Sequence, residues 1–335
     1  MTIRCQVGYP DAISFLCLFS VGLVGIIVPT LQYISIATDE FGANNISVII
    51  DCYSKKGADS NKTCHDISTA VEDKLAVLNI KINIVQGVLA PFFVFALGGF
   101  SDIAGKKFAV IFILSVSIVR CIALTINALF MDKFPPDFYI VVSGFLLGIG
   151  GGSIMAINNF LIGYLSVTTL SHKQTSRFSL LIGVGLIGFI LGPLIAGLIL
   201  QFTSAYFIIG LISIVLLTIA LCLTVFCLKP QDKTSEIEQR FMNISGFKKK
   251  FASAMRFQYQ NTINLFKYQS YLGKFIGANL MFMLTSVGLA SPLVIVSTVY
   301  VLGEPFKWSS KARGYFGAGK IFNLLFYLMT SIQSN

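Results

Sequence analysis

Eight separate stretches of this chain are apolar for about 20 residues or more, and that repetition limits what it can fold into. They fall at about 12–37, 76–98, 108–131, 138–163, 179–201, 205–228, 275–302 and 313–333. A helix that crosses a bilayer needs about 20 mostly apolar residues. A backbone in lipid must also satisfy its own hydrogen bonds, and these runs are too long for barrel strands, so each reads as a transmembrane helix. The surface arithmetic agrees. Charged residues make up 12% of the 335 residues and hydrophobic ones 55%, whereas a water-facing surface draws on about a quarter charged residues. The first stretch is no cleaved leader, because it outruns a signal-peptide core and no small-residue cleavage site follows it. The expected fold class is an all-α polytopic membrane protein.

The net charge of +10 does not point to nucleic acid. In a lipid-facing chain, Lys and Arg gather on the cytoplasmic side. The N-terminus and the even loops hold 13 of them: Arg4, Lys106, Lys107, Lys173, Arg177 and eight between Lys229 and Lys267. The odd loops hold eight, together with ten of the 15 acids. The N-terminus is therefore expected in the cytoplasm. Loop 1–2, over about 38–75, carries the sequons Asn45-Ile46-Ser47 and Asn61-Lys62-Thr63, so Asn45 and Asn61 are expected to be glycosylated on the lumenal face. Asn243 lies in a basic loop and is expected to stay bare. Cys52 and Cys64 share the sequon-bearing loop and form a candidate disulfide, with free or intermolecular thiols as the alternative.

The spans group as a six-helix half over residues 1–228, a charged cytoplasmic linker over 229–274, and two further helices over 275–335. A six-helix half followed by a long linker is the layout of transporters built from repeated halves.

After the second span comes Gly98-Gly99-Phe100-Ser101-Asp102-Ile103-Ala104-Gly105-Lys106-Lys107. Gly98 lets a neighbouring helix come close. Asp102 is placed to accept hydrogen bonds from helix N-termini and cations. Gly105 permits the reversal, and the two lysines hold that end in the cytoplasm. The pattern resembles the loop 2–3 signature of the major facilitator superfamily. Gly188-x3-Gly192-Pro193-x3-Gly197 in the fifth span resembles that superfamily's fifth-helix motif, with a flat packing face and a proline kink. The stretch from Tyr300 to Gly317, with Glu304-Pro305, Trp308, Lys311 and Gly314-Tyr315, is similar to the helix 7–8 hairpin of solute carrier family 46, the proton-coupled folate transporter family. That resemblance implies a twelve-helix fold around a central cavity that opens to each side in turn. About eight of the twelve helices are present, which makes a C-terminally truncated member the expected explanation.

The chain departs from that family at informative places. None of its acids lies well inside a span, and its two histidines, His65 and His172, are in loops. Ile182 stands where folate-transporting relatives carry a glutamate, and Lys307 where relatives place a bridging cysteine. A proton or another coupling ion is thus not named by the residues.

Polar groups inside the spans are the candidate solute contacts. Arg120 falls near the middle of the third span, where an unpaired charge costs several kcal/mol, so a partner or a wet cavity should face it. The candidates for that partner are an anionic substrate, a carboxylate elsewhere and backbone carbonyls. Lys320, in the eighth span, is either a second such cation or a side chain that snorkels to the interface. Asn79, Asn83 and Gln86 form one polar stripe on the second span, read as cavity lining with a helix contact as the alternative. Asn158 and Asn159 read as packing polars.

The expected function is secondary active transport of a small organic, anionic solute across a plasma or endolysosomal membrane. The partners are the bilayer, the solute and a coupling ion. No residue pattern calls for a cofactor or a metal. The alternatives are a non-transporting fragment of such a carrier and a receptor-like protein, the latter disfavoured by the cytoplasmic N-terminus. An intramembrane protease would need paired aspartates, or a serine with a histidine, inside the spans, and neither set occurs.

Overall fold

The computed structural model describes residues 8–42, 62–130, 133–152, 154–203 and 205–229, together with positions 252, 253, 256, 259 and 260. Helix α1 runs Tyr9–Phe41, α2 Lys62–Ala104, α3 Lys106–Leu129, α4 Ile140–Ile149, α5 Ile154–Thr168, α6 Gln174–Thr203 and α7 Tyr206–Cys227. No strand occurs among the described residues. Five of these helices are long and apolar enough to cross a bilayer: α1, α2, α3, α6 and α7. The expected spans over 275–302 and 313–333 lie outside the described residues.

The fourth span departs from expectation. Residues 138–163 were expected as one helix, but the helix stops at Ile149 and restarts at Ile154. Gly151 (φ +88°) and Gly152 (φ +77°) take the left-handed backbone that ends a right-handed helix and that side chains resist. Hydropathy counts glycine as neutral filler and is blind to this break. Upstream, Ile140–Phe145 is wound as a π-helix, a local form that recurs at functional sites.

Helix α2 begins well before the apolar run does. Its early turns place Val71, Leu75, Leu78 and Ile82 in the core. That three- and four-residue spacing gives the polar segment one apolar stripe to bury.

Helix α1 is central and packs on α6 and α7. The α1–α6 contact is unusually close because glycines meet backbone. A methyl group built on Gly192 would sit 2.6 Å from the Phe19 carbonyl oxygen and 2.7 Å from the Gly22 Cα. One built on Gly188 would lie 2.6 Å from the Phe15 carbonyl oxygen. Pro193 and Gly197 are buried on the same helix. Deeper in the bundle, Ser20 and Ser213 are fully buried and trade hydrogen bonds to each other's carbonyls, at 3.4 and 3.5 Å.

Candidate functional site

Non-helical backbone at membrane depth is tolerated only where protein buries it or water reaches it. The break in the fourth span meets this condition against α2. Gln86 Nε2 donates to the carbonyl oxygen of Gly152, and a side chain at Gly152 would collide with Ala90. Gly148 also comes close, since a methyl there would sit 2.8 Å from Leu89 Cβ. The polar stripe on α2 therefore divides. Gln86 is a helix contact, while Asn79 and Asn83 are partly buried and make no hydrogen bond among the described residues.

Helix α3 closes the other side of the break. Val116 packs at Gly150, about 3.6 Å from where a side chain there would begin. Arg120 lies one turn further along the same face of α3. Two turns beyond it, Asn127 Oδ1 accepts a 2.6 Å hydrogen bond from the buried Tyr139 hydroxyl. Among the described residues, four buried side-chain polar atoms lack a hydrogen-bond partner: Arg120 Nε, Asn127 Nδ2, Ser143 Oγ and Asp11 Oδ1. Arg120 and Asn127 belong to α3. Ser143 follows Tyr139 by one turn on the facing helix. Both α3 atoms are donors, and a buried donor left without an acceptor costs about 1–3 kcal/mol. Arg120 thus presents an unpaired donor one turn from the residue that packs at the broken helix, while Asn127 lies in the last turn of α3 against the start of α4. An acceptor-rich group would satisfy Arg120.

At the end of the bundle that holds Tyr9, a second polar cluster ties three helices together. Arg177 Nη2 of α6 bonds Asp11 Oδ2 of α1 at 2.7 Å. Ser14 Oγ donates to Asn158 Oδ1 of α5 at 2.8 Å and lies 3.4 Å from the Leu181 carbonyl oxygen. Asn159 is exposed. Arg177 belongs to a helix rather than to the loop assigned from sequence.

The signature loop lies at the same end. Helix α2 stops at Ala104, Gly105 turns the chain with φ +93°, and α3 starts at Lys106. Ser101 Oγ bonds the Gly98 carbonyl oxygen at 2.7 Å and receives Lys106 Nζ at 3.2 Å. Lys107 Nζ reaches the carbonyl oxygens of Val225 and Leu228, both at 2.7 Å, at the C-terminal end of α7. Those carbonyls have no partner within a helix, and a cation there also suits the helix dipole. The side chains of Asp102 and Cys64 lie outside the described residues, as do Asn45, Cys52, Asn61 and Lys320.

Two features escaped the sequence reading. One is the run Gly144-x3-Gly148-x-Gly150-Gly151-Gly152, whose density of glycines was the available signal for a break. The other is the Asp11–Arg177 pair, for which nothing local gives a signal.

Five long apolar helices and a sixth span broken at its centre define a multi-pass helical membrane protein. Its sequence matches the profile of the Major Facilitator Superfamily over residues 12–333. The chain belongs to that superfamily, whose members are membrane transporters. No curated protein matches it.

Proposed function

We propose that the protein is a secondary active transporter that carries a small organic anion by alternating access, in the manner of solute carrier family 46. The observation that supports this most is Arg120 Nε, a buried donor without an acceptor one turn along α3 from Val116, which packs at Gly150 of the break. A carboxylate suits this place. It offers the acceptor that Arg120 Nε lacks, and the planar guanidinium grips a carboxylate with two hydrogen bonds while staying charged.

The remaining assignments follow the charge and sequon pattern. The N-terminus and the signature loop face the cytoplasm, Asn45 and Asn61 carry glycans, and the carrier works in a plasma or endolysosomal membrane. Gly98, Asp102, Gly105, Lys106 and Lys107 form the gating loop at the cytoplasmic end. Gly188, Gly192, Pro193 and Gly197 let α6 and α1 move as one body.

The test is uptake into vesicles of a panel of labelled monocarboxylates and dicarboxylates, set against their uncharged amides. Saturable entry of carboxylates with little entry of amides is the expected result. Equal entry of both would overturn the anionic reading.

A further inference from the structure

A cleft of about 510 Å³ opens at the end of the bundle that holds Phe41, between the last turns of α1, the early turns of α2 and the turn before α4. Its walls include the apolar side chains of Ile36, Val77 and Leu78. Charged groups of both signs also line it, and they are not arranged to neutralise one another. Lys74 is taken up by an ion pair with Glu40. Asp39, Asp73, Asp137 and Lys81 line the cleft yet make no ion pair or hydrogen bond among the described residues.

Two of these placements work against stability. Asp39 sits in the last turn of α1, where the helix dipole disfavours an anion. Lys81 is a cation inside the apolar window of α2, where it costs free energy unless water or an anion reaches it. The signs are also sorted along the helix. Asp73 and Lys81 are eight residues apart on α2, or roughly 12 Å along its axis, with Lys81 on the bundle side. Three aspartates, the apolar Val77 and Leu78, and Lys81 further along α2 thus share one cleft.

We infer that this cleft is an entry site for a zwitterion, a solute with an ammonium at one end, a carboxylate at the other and an apolar body between. The ammonium lies among Asp39, Asp73 and Asp137, and the carboxylate meets Lys81. The inference rests on the carboxylate reading of Arg120 and narrows it. The carboxylate leads inward from Lys81 toward Arg120, and carboxylates that lack an ammonium bind the cleft more weakly on their way in.

Binding to the full chain in detergent tests this, read as the rise in melting temperature with three probes of one skeleton: 6-aminohexanoate, hexanoate and hexylamine. At about 10 mM, a ligand that binds only the folded state stabilises it by RT ln(1 + [L]/Kd), so a tighter ligand gives a larger rise in melting temperature. The expected order puts 6-aminohexanoate roughly tenfold tighter than either singly charged probe, about 1.4 kcal/mol, because it alone completes both charged contacts. Lys81→Gln should reduce it to the level of hexylamine, and Asp73→Asn with Asp137→Asn to the level of hexanoate. Equal shifts from the three probes, no shift from any, or unchanged selectivity in these variants would overturn the inference. Arg120→Ala separates it from the transport reading. Binding of 6-aminohexanoate that survives Arg120→Ala but not Lys81→Gln supports the cleft whatever becomes of Arg120. Binding lost in Arg120→Ala and kept in Lys81→Gln overturns the cleft alone.

Discussion

Arg177 and Asp11 are 166 positions apart in sequence, yet their side chains meet at 2.7 Å with exposures of only 15% and 13%. The bond joins the first turns of α1 and α6 at the point where the two helices begin their close packing. Just past it, Ser14, Gly185 and Leu181 continue the contact. The charges therefore fix the register in which the glycine face of α6 meets α1. Asp11 Oδ1 remains unpaired, so the pair has little redundancy on the aspartate side.

Removing the arginine should be costly. Breaking a fully buried ion pair costs about 3–5 kcal/mol, and partial exposure at this site brings the expected loss for Arg177→Ala to about 1–3 kcal/mol. Melting in detergent measures it. Asp11→Arg combined with Arg177→Asp should recover part of the loss, whereas a double variant no better than the single one would show that the pair sets no register.

Gly152 carries a second prediction. Its φ of +77° strains any other residue, and a methyl there meets Ala90 on α2. Gly152→Ala should lower stability by about 1–3 kcal/mol through backbone strain and overlap together. Ala90→Gly in the same chain should return the overlap part only. Full recovery would mean that the left-handed backbone is not needed. A melting series across the unaltered chain and the two variants distinguishes the outcomes.

These two sites mark how far the sequence is legible. Long apolar runs show themselves because lipid imposes a length and a composition on each span, and the glycine-rich loop between α2 and α3 shows itself because a tight reversal needs Gly105. The break after Ile149 does not, because a hydropathy window scores Gly150-Gly151-Gly152 as ordinary filler and carries no backbone angle. The Asp11–Arg177 pair is hidden for another reason. Each residue sits near a helix start, where a charge reads as solvated, and only tertiary packing brings them together. Gln86 falls between. Its helical phase with Asn79 and Asn83 is legible, but the acceptor it finds exists only because the fourth span breaks.

Sidedness is open to a direct check. The acid-rich loop with Asn45 and Asn61 is assigned to the lumen. Glycosidase treatment of the expressed chain should therefore increase its gel mobility, and Asn45→Gln with Asn61→Gln should remove that change. A mobility change that survives this double variant and depends on Asn243 would reverse the topology.

The central claim is that the buried, unpaired donor edge of Arg120 receives the anionic group of the transported solute. Carboxylate uptake per copy of surface protein, measured together for Arg120→Lys and Arg120→Ala, tests it most directly. The account predicts normal surface abundance for both. Lysine should keep some turnover with weakened affinity, since charge survives without the bidentate grip, and alanine should lose uptake by tenfold or more, about 1.4 kcal/mol at least. Undiminished carboxylate uptake by a well-expressed Arg120→Ala protein would contradict it.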